Sequence, residues 1–354
     1  MPSRSSAMGE SGTLGELIAG AQFKLRWFDL GRRVQPLTRT QAEAFESGRS
    51  PWPHPYLRHA WTGLLLWPEE GGEPAVWFLR LPLDEQGKLQ LPVRDGFLRQ
   101  LTQQLCADSG GDPTARLQSV LDRSELVFDP LPERRASFHA RAGLLLKRPP
   151  SEHYAAALEY CRDPDTRPWD RLALQGVADL AARWEEHGAL LQQRMVRLAA
   201  PVFINLCQCL ENEAIDHRLA AGIIDRARSQ LAGGAADYTP VAAAVRGISH
   251  SVAGGLRREF LREVLQGSAG RDREVLAAIG SRCPRDLERA EIAEPWLAAL
   301  AENLDQETFN LLLTDLLFLP QVRPVLLGAL RNPARPESLA RAFGILLRGS
   351  LPTH

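Results

Sequence analysis

The uneven distribution of tryptophan constrains this chain most. Five of the eight tryptophans lie between Trp27 and Trp77, in a stretch whose apolar residues alternate as in β-strands and whose loop is rich in proline. Beyond about residue 150 the sequence becomes a series of Ala-, Leu- and Arg-rich segments with helical periodicity. The 354 residues are enough for about two domains. We therefore predict an α+β fold class, with a small sheet-containing head and a large all-α body.

The head is predicted to span residues 13–148, after a polar tail, 1–12, that we expect to be disordered. Thr13 and Glu16 have the spacing of a capping box, which predicts a short helix there. In residues 22–31 polar and apolar side chains then alternate, which is typical of a strand with one buried face.

Two apolar runs, 60–67 and 75–82, are followed by a short third run, 88–91, with Gly-containing turns between them. This pattern predicts an antiparallel meander. The run at 60–67 is apolar at both odd and even positions, so we expect both faces of this strand to be covered. A helix at about 93–106 is predicted to pack on the sheet, which is the α+β layer arrangement.

A proline-rich loop, 51–59, lies between the first strand and these runs. Prolines lack a backbone donor and hold the preceding residue extended, so the loop is predicted to be stiff. The loop and the residues after it carry Trp52, His54, Tyr56, His59 and Trp61. Three interpretations are open: these side chains clasp the core of the head, contact a ligand or partner, or line a pocket in which a histidine acts as a general base. The clasp is favoured.

Asp29, at the end of the first predicted strand, lies close in sequence to Arg32 and Arg33. A carboxylate beside guanidinium groups could help to bind an anionic group, although such a trio more often forms an internal ion pair that fixes a turn. These three residues and the five of the loop region make up the candidate binding site. No residue of the site is assigned a catalytic role.

Pro149–Pro150 marks the predicted boundary, and residues 151–354 are predicted to form a helical-repeat-like domain. The candidate helices are 151–161, 168–187, 189–211, 216–231, 239–249, 252–266, 271–280, 285–302, 305–318, 322–331 and 335–348. Many short, closely connected helices indicate stacked helical hairpins. A HEAT-like array, with repeats of about 40–47 residues, and a compact bundle are both left open.

The sequence contains no linear signature of a phosphate-binding loop, a zinc protease, a serine hydrolase or a protein kinase. Cys207 and Cys209 with His217 suggest metal ligands, but thiols two residues apart on a helix point about 200° apart. We therefore expect neither a metal nor a cofactor. Five scattered cysteines, a polar N-terminus and the lack of a long apolar run favour a reducing, cytoplasmic location.

The charges do not favour one class of partner. The formal net charge is −1, and the basic residues are almost all arginine. The pairs Arg134–Arg135 and Arg257–Arg258, taken as exposed, are balanced by neighbouring glutamates, so no one-sided basic stripe is visible. Nucleic-acid association through arginines on a concave helical face stays open as an alternative.

The block 22–67 combines four features: Asp-x-Gly-Arg-Arg-Val at Asp29 to Val34, the turn Phe45–Glu46, a loop with Pro53, Pro55 and Tyr56, and His-Ala-Trp at His59 to Trp61. This combination resembles a family of bacterial proteins defined only as a domain of unknown function. The additional Trp52 and His54 depart from the usual loop of that family. The resemblance extends over nearly the whole chain, is strongest in the head, and implies no activity or catalytic residues.

We expect a soluble bacterial protein that binds another protein as a non-catalytic scaffold or adaptor, without a membrane partner. The observations behind this expectation are the many predicted helices and the lack of catalytic signatures. A nucleic-acid-associated factor is the alternative, and an enzyme with a pocket under the 51–59 loop is the third hypothesis.

Overall fold

The computed structural model describes residues 12–20, 22–70, 72–106, 121, 123–233 and 237–349. Contacts divide the chain into two compact units, Met1–Leu131 and Pro132–His354. The predicted tail at 1–12 lies almost wholly outside the described residues. The contacts place the division between Leu131 and Pro132. The boundary predicted at Pro149–Pro150 concerns domains that fold independently, and it stays a prediction.

The first unit, which we call the head, contains an antiparallel sheet of four strands in the order β2-β1-β3-β4. The strands are β1 (Phe23–Asp29), β2 (Gln35–Pro36), β3 (His59–Pro68) and β4 (Ala75–Pro82). The long strand β3 lies between β1 and β4 and pairs with both along most of its length. Residues 62–66 of β3 are all buried, which confirms that both faces of this strand are covered.

Among the described residues, the helices with printed bounds in this unit are α1 (Leu14–Gly20), α2 (Arg39–Glu46) and α3 (Leu91–Cys106), of which α1 and α2 contact β1. The predicted capping box at the start of α1 is present, since the Thr13 hydroxyl accepts from the Glu16 amide and the Glu16 carboxylate from the Thr13 amide. The third strand of the predicted meander is reduced to one bridge between Leu83 and Leu89, because α3 begins at Leu91.

The second unit, which we call the helical unit, is built from α-helices and short 3-10 turns. Its helices are α4 (Pro132–Leu145), α5 (Tyr154–Arg162), α6 (Leu174–Ala182), α7 (Trp184–Arg194), α8 (Ala200–Leu210), α9 (His217–Ala232), α10 (Thr239–Ile248), α11 (Gly254–Gln266), α12 (Arg273–Arg282), α13 (Ala290–Asn303), α14 (Gln306–Leu317), α15 (Arg323–Arg331) and α16 (Glu337–Gly349). The fold class, a small antiparallel sheet in the first unit and a helical body, is confirmed.

The helices of this unit alternate between two rows. Helices α4, α6, α8, α10, α12 and α14 form one row, in which each helix contacts the next. Helices α5, α7, α9, α11, α13 and α15 form the other row in the same way. Consecutive helices such as α9 and α10 also contact each other across the rows. One continuous hydrophobic core therefore runs through the unit.

Three predicted helix ranges are wrong in detail. The predicted helix 168–187 is divided into a 3-10 turn (Trp169–Arg171), α6, which ends at Ala182, and the first turn of α7. The predicted helix 189–211 is broken, because α7 ends at Arg194 and a 3-10 turn precedes α8. Pro201 lies in the first turn of α8, where proline fits because its missing N–H has no helical partner. The predicted helix 285–302 begins only at Ala290. In the described part of the chain, no helix is long and apolar enough to cross a membrane.

Candidate functional site

Asp29 is the centre of the predicted site and is fully buried at the end of β1. Its carboxylate accepts hydrogen bonds from the backbone amides of Gly31 (3.2 Å) and Arg33 (3.3 Å). It also accepts from the indole nitrogen of Trp52 at 3.2 Å. These donors compensate the burial of the carboxylate. Asp29 therefore fixes the turn after β1 and attaches the proline-rich loop to it.

Trp52 belongs to the core of the head, with 2% of its surface exposed. Its ring centroid lies 4.8 Å from that of Phe45 on α2, in an edge-to-face arrangement, and 6.4 Å from that of Trp27 on β1. Its backbone amide donates to Gly87 at 2.8 Å. The loop is therefore anchored in the core by a large aromatic side chain, as the clasp interpretation requires.

Arg32 contacts the next part of the loop and holds it in place. Its Nε atom donates to the Pro55 carbonyl at 2.8 Å, and its guanidinium carbon lies 5.5 Å from the centroid of the Tyr56 ring. The side chain is buried. Arg33, one residue on, and His54 in the loop are both half-buried.

Residues 56–59 form a tight turn that two backbone hydrogen bonds close. The amide of Tyr56 donates to the His59 carbonyl, and the amide of His59 donates to the Tyr56 carbonyl. The two central residues, Leu57 and Arg58, have φ angles of 50° and 60°. This left-handed conformation costs roughly 1–2 kcal/mol for a residue with a Cβ atom. The indole nitrogen of Trp61 donates to the Tyr56 carbonyl at 2.8 Å and supports the strained turn.

The outer side of this region is aromatic and cationic. The ring of Trp61 contacts His59, Tyr56 and Phe128 in tilted or edge-to-face arrangements. The exposed Arg80, which lies opposite Trp61 on β4, has its guanidinium carbon 5.5 Å from the Trp61 ring centroid. No local pattern singles out Arg80 in the sequence, although the pairing of its strand with β3 follows from the predicted meander. Trp61, Tyr56 and His59 are half-buried, so they can contact a molecule only at their outer edges.

The structure thus brings the candidate residues into one region of the head. Asp29, Arg32 and Trp52 face inward and hold the loop, while Tyr56, His59 and Trp61 reach the surface. A carboxylate that already accepts from three N–H groups is poorly placed to act as a base. The use of the outer side chains for binding stays a prediction.

The helical unit contains a cluster of charges that has no local signature in the sequence. Glu211, which follows α8, is fully buried. Its carboxylate accepts from Arg134 on α4 (2.9 Å), Arg246 on α10 (2.6 Å) and Arg282 on α12 (3.1 Å). Glu133 lies 3.7 Å from Arg246 at the edge of the cluster. We call Glu133, Arg134, Glu211, Arg246 and Arg282 the arginine cluster.

Two opposing effects set the charge of Glu211. Burial alone would raise the pKa of this carboxyl, but Arg282, Arg246 and Arg134 outweigh burial and hold the pKa at about 2. Glu211 is therefore ionised at neutral pH and holds together three helices of one row. The expectation that Arg134 is exposed and balanced by Glu133 is wrong, since this side chain is buried against Glu211.

Arg257 is also not balanced by its neighbour in sequence. Its guanidinium group makes two hydrogen bonds, of 2.7 and 3.0 Å, with the carboxylate of Asp286, which follows α12. Both side chains are largely buried. The partner is 29 residues away, so local charge balance could not reveal it.

Cys207 and Cys209 lie on α8 and are buried in the core of the helical unit. Burial raises the pKa of Cys207, and it raises that of Cys209 to about 12. Thiols with such pKa values are poor nucleophiles and poor metal ligands, because both roles need the thiolate. Among the described residues, no group of three or more Asp, Glu, His or Cys side chains is arranged to hold a metal ion.

These features define a protein class by architecture: an antiparallel-sheet head unit and a two-row helical unit on one chain. The family model described as "Protein of unknown function (DUF3549)" matches residues 10–347, and the chain belongs to this family. No curated protein and no solved structure matches the chain significantly.

Proposed function

We propose that this chain is a non-catalytic scaffold or adaptor whose helical unit binds another protein. The observation that supports this proposal most is the two-row stacking of α4 to α15. In arrays of stacked helical hairpins each hairpin packs mainly on its neighbours, and the array presents an extended surface of the kind that protein partners bind.

Side-chain hydrogen bonds between successive hairpins support a repeat of variable length. They join Arg246 to Glu211, Arg228 to Glu263 and Arg273 to Thr308 at 35 residues, and Ser251 to Ile215 and Gln306 to Ala342 at 36 residues. Others join residues 30 apart (Tyr238 and Ser268) and 39 apart (Gln175 and Ala136). These separations are shorter than the roughly 40–47 residues of HEAT repeats. We therefore propose a two-helix repeat of 30 to 39 residues and leave the HEAT assignment aside.

The nucleic-acid alternative has less support. Several arginines of the helical unit are paired with carboxylates, including Arg228 with Glu263 (2.8 Å) and Arg257 with Asp286 (2.7 Å). A guanidinium engaged with a carboxylate contributes little to the attraction of phosphate, which depends on uncompensated basic charge. Binding of generic single- or double-stranded nucleic acid that weakens with salt would favour this alternative over a protein partner.

The enzyme hypothesis also has less support. Its predicted residues Asp29, Arg32 and Trp52 are used to attach the loop to the core, as described above. A general base needs an accessible lone pair within hydrogen-bond reach of substrate. The half-buried His59 has its Nδ1 atom 2.7 Å from the Leu57 carbonyl, within its own turn.

Site-specific photo-crosslinking in the native host tests the scaffold proposal. Lysine-reactive reagents are unsuitable, because the only lysines are Lys24, Lys88 and Lys147. A photoreactive residue at Val252, which is 70% exposed between α10 and α11, should capture a defined protein. The same residue at Arg39, exposed on α2 of the head, is the matched control.

Enrichment of one protein at Val252 over Arg39 is the expected result. The proposal fails if further exposed positions on the helical unit, such as Leu311 and Val196, also give no protein adduct while the chain sediments as a lone monomer from lysate.

A further inference from the structure

The N-terminal helix α1 is attached to the head by a distant side chain. Glu46, the last residue of α2, accepts hydrogen bonds from the amides of Leu14 and Gly15 at the start of α1. The apolar side chains of Leu14 and Ile18 on α1 are buried, and the helix packs on β1. Seven residues are too few for a helix to be stable by itself. Its order therefore depends on these contacts.

The Glu46 carboxylate is an unusual anchor because it is buried and, in the described part of the chain, no cation forms an ion pair with it. Only 3% of the residue is exposed. The guanidinium group of Arg94, on α3, donates to the backbone carbonyl of Glu46 and to the carboxylate of Asp95. Glu16 on α1 is a second carboxylate that faces the site. Within the described residues, no ion pair to the Glu46 carboxylate offsets the loss of its hydration.

Burial of this kind favours the neutral form of a carboxyl group. Desolvation outweighs the two amide hydrogen bonds and the attraction of Arg94, and it raises the pKa of Glu46 to about 7. When α1 leaves the head, water reaches the side chain and the pKa returns toward the ordinary value of 4.5. The docked form therefore binds a proton more tightly than the undocked form.

We propose that Glu46 is a pH-sensitive latch that holds α1 on β1 in its protonated form and weakens this attachment as it ionises. Undocking of α1 exposes its buried side chains Leu14 and Ile18 and the part of β1 that the helix contacts. The latch lies entirely within the head and does not rest on the function proposed for the helical unit.

The sign and size of the effect follow from linkage. A carboxyl whose pKa is higher in the docked state favours docking at low pH, and this contribution is lost as the pH rises through about 7. With pKa values of about 7 docked and 4.5 undocked, the undocking equilibrium constant increases roughly 30-fold between pH 5.5 and 8.5.

Hydrogen exchange of the full chain, followed by mass spectrometry of the α1 peptide, tests the latch. After correction for the intrinsic pH dependence of exchange, the protection factor of α1 amides should fall roughly 30-fold from pH 5.5 to 8.5. Peptides from α8 in the same samples show whether the rest of the chain responds to pH. Glu46→Gln, which cannot ionise, should remove the pH dependence.

Glu43→Gln is the matched control, because Glu43 lies on the same helix, is exposed and pairs with Arg39. This variant should keep the wild-type slope. The latch is overturned if wild-type protection of α1 is constant or rises with pH, or if Glu46→Gln keeps the slope. The wild-type series decides the first point even if Glu46→Gln disturbs the folding of the head.

Discussion

Replacing Glu211 with glutamine is the sharpest test of how the helical unit is held together. The substitution keeps the size of the side chain but removes the charge to which Arg134, Arg246 and Arg282 donate. Three guanidinium groups would then remain around a neutral amide. Removing one partner from a buried ion pair is strongly destabilising, because the remaining charge stays desolvated.

The magnitude follows from the pKa of Glu211, about 2 in the folded chain against the ordinary value of 4.5. At about 1.4 kcal/mol per pKa unit, the ionised carboxylate stabilises the folded state by about 3 kcal/mol. Because the folded pKa is the lower one, this contribution is complete above pH 4.5 and is lost as the pH falls toward 2.

Urea unfolding followed by far-UV circular dichroism measures the loss. Glu211→Gln should lower the free energy of unfolding by about 3 kcal/mol at pH 7, which is a midpoint shift of roughly 1 M urea. Glu263→Gln is the control, because its pair with Arg228 is exposed, and it should cost less than about 1 kcal/mol. Equal losses of stability in both variants would contradict this role of Glu211, as would a loss from Glu211→Gln that does not shrink between pH 5 and pH 3.

Three further comparisons test packing and strain. Arg58→Gly should be about 1 kcal/mol more stable than Arg58→Ala by urea unfolding, since only glycine relieves the left-handed φ; equal stabilities would show that the turn is unstrained. Gly247→Ala should cost about 1–3 kcal/mol because its Cβ would lie 3.0 Å from Cys207, whereas Gly328→Ala, with open space around its Cβ, should be neutral or stabilising by thermal melting. Trp52→Phe should destabilise the head by about 2 kcal/mol, through a cavity and one lost donor to Asp29; an unchanged melting temperature would contradict the clasp.

Local patterns predicted the elements of the head. The period-two alternation of residues 22–31 gave β1, the apolar run at 60–67 gave the covered central strand β3, and the Thr13–Glu16 spacing gave the cap of α1. The break between α7 and α8 was missed although Pro201 signals a helix start. Helical periodicity on both sides of the break outweighed that signal.

The long-range charge pairs could not be predicted in the same way. Arg134 and Arg282 reach Glu211 from 77 and 71 residues away, so nothing in the neighbouring sequence identifies them as partners. The anchoring role of Asp29 was predictable only in part: its closeness to Arg33 suggested a fixed turn, but the bond from Trp52 depends on how the loop folds back over 23 residues.

The position of Glu211 also affects how the helical unit unfolds. In a simple stack of hairpins each unit depends on its neighbours, so the ends fray first and unfolding spreads inward step by step. Here one carboxylate binds helices α4, α10 and α12 at once, so α4 to α12 should open in a single cooperative event. Helices α13 to α16 follow α12 and are not among the helices that Glu211 connects. We therefore expect α13 to α16 to unfold separately from α4 to α12.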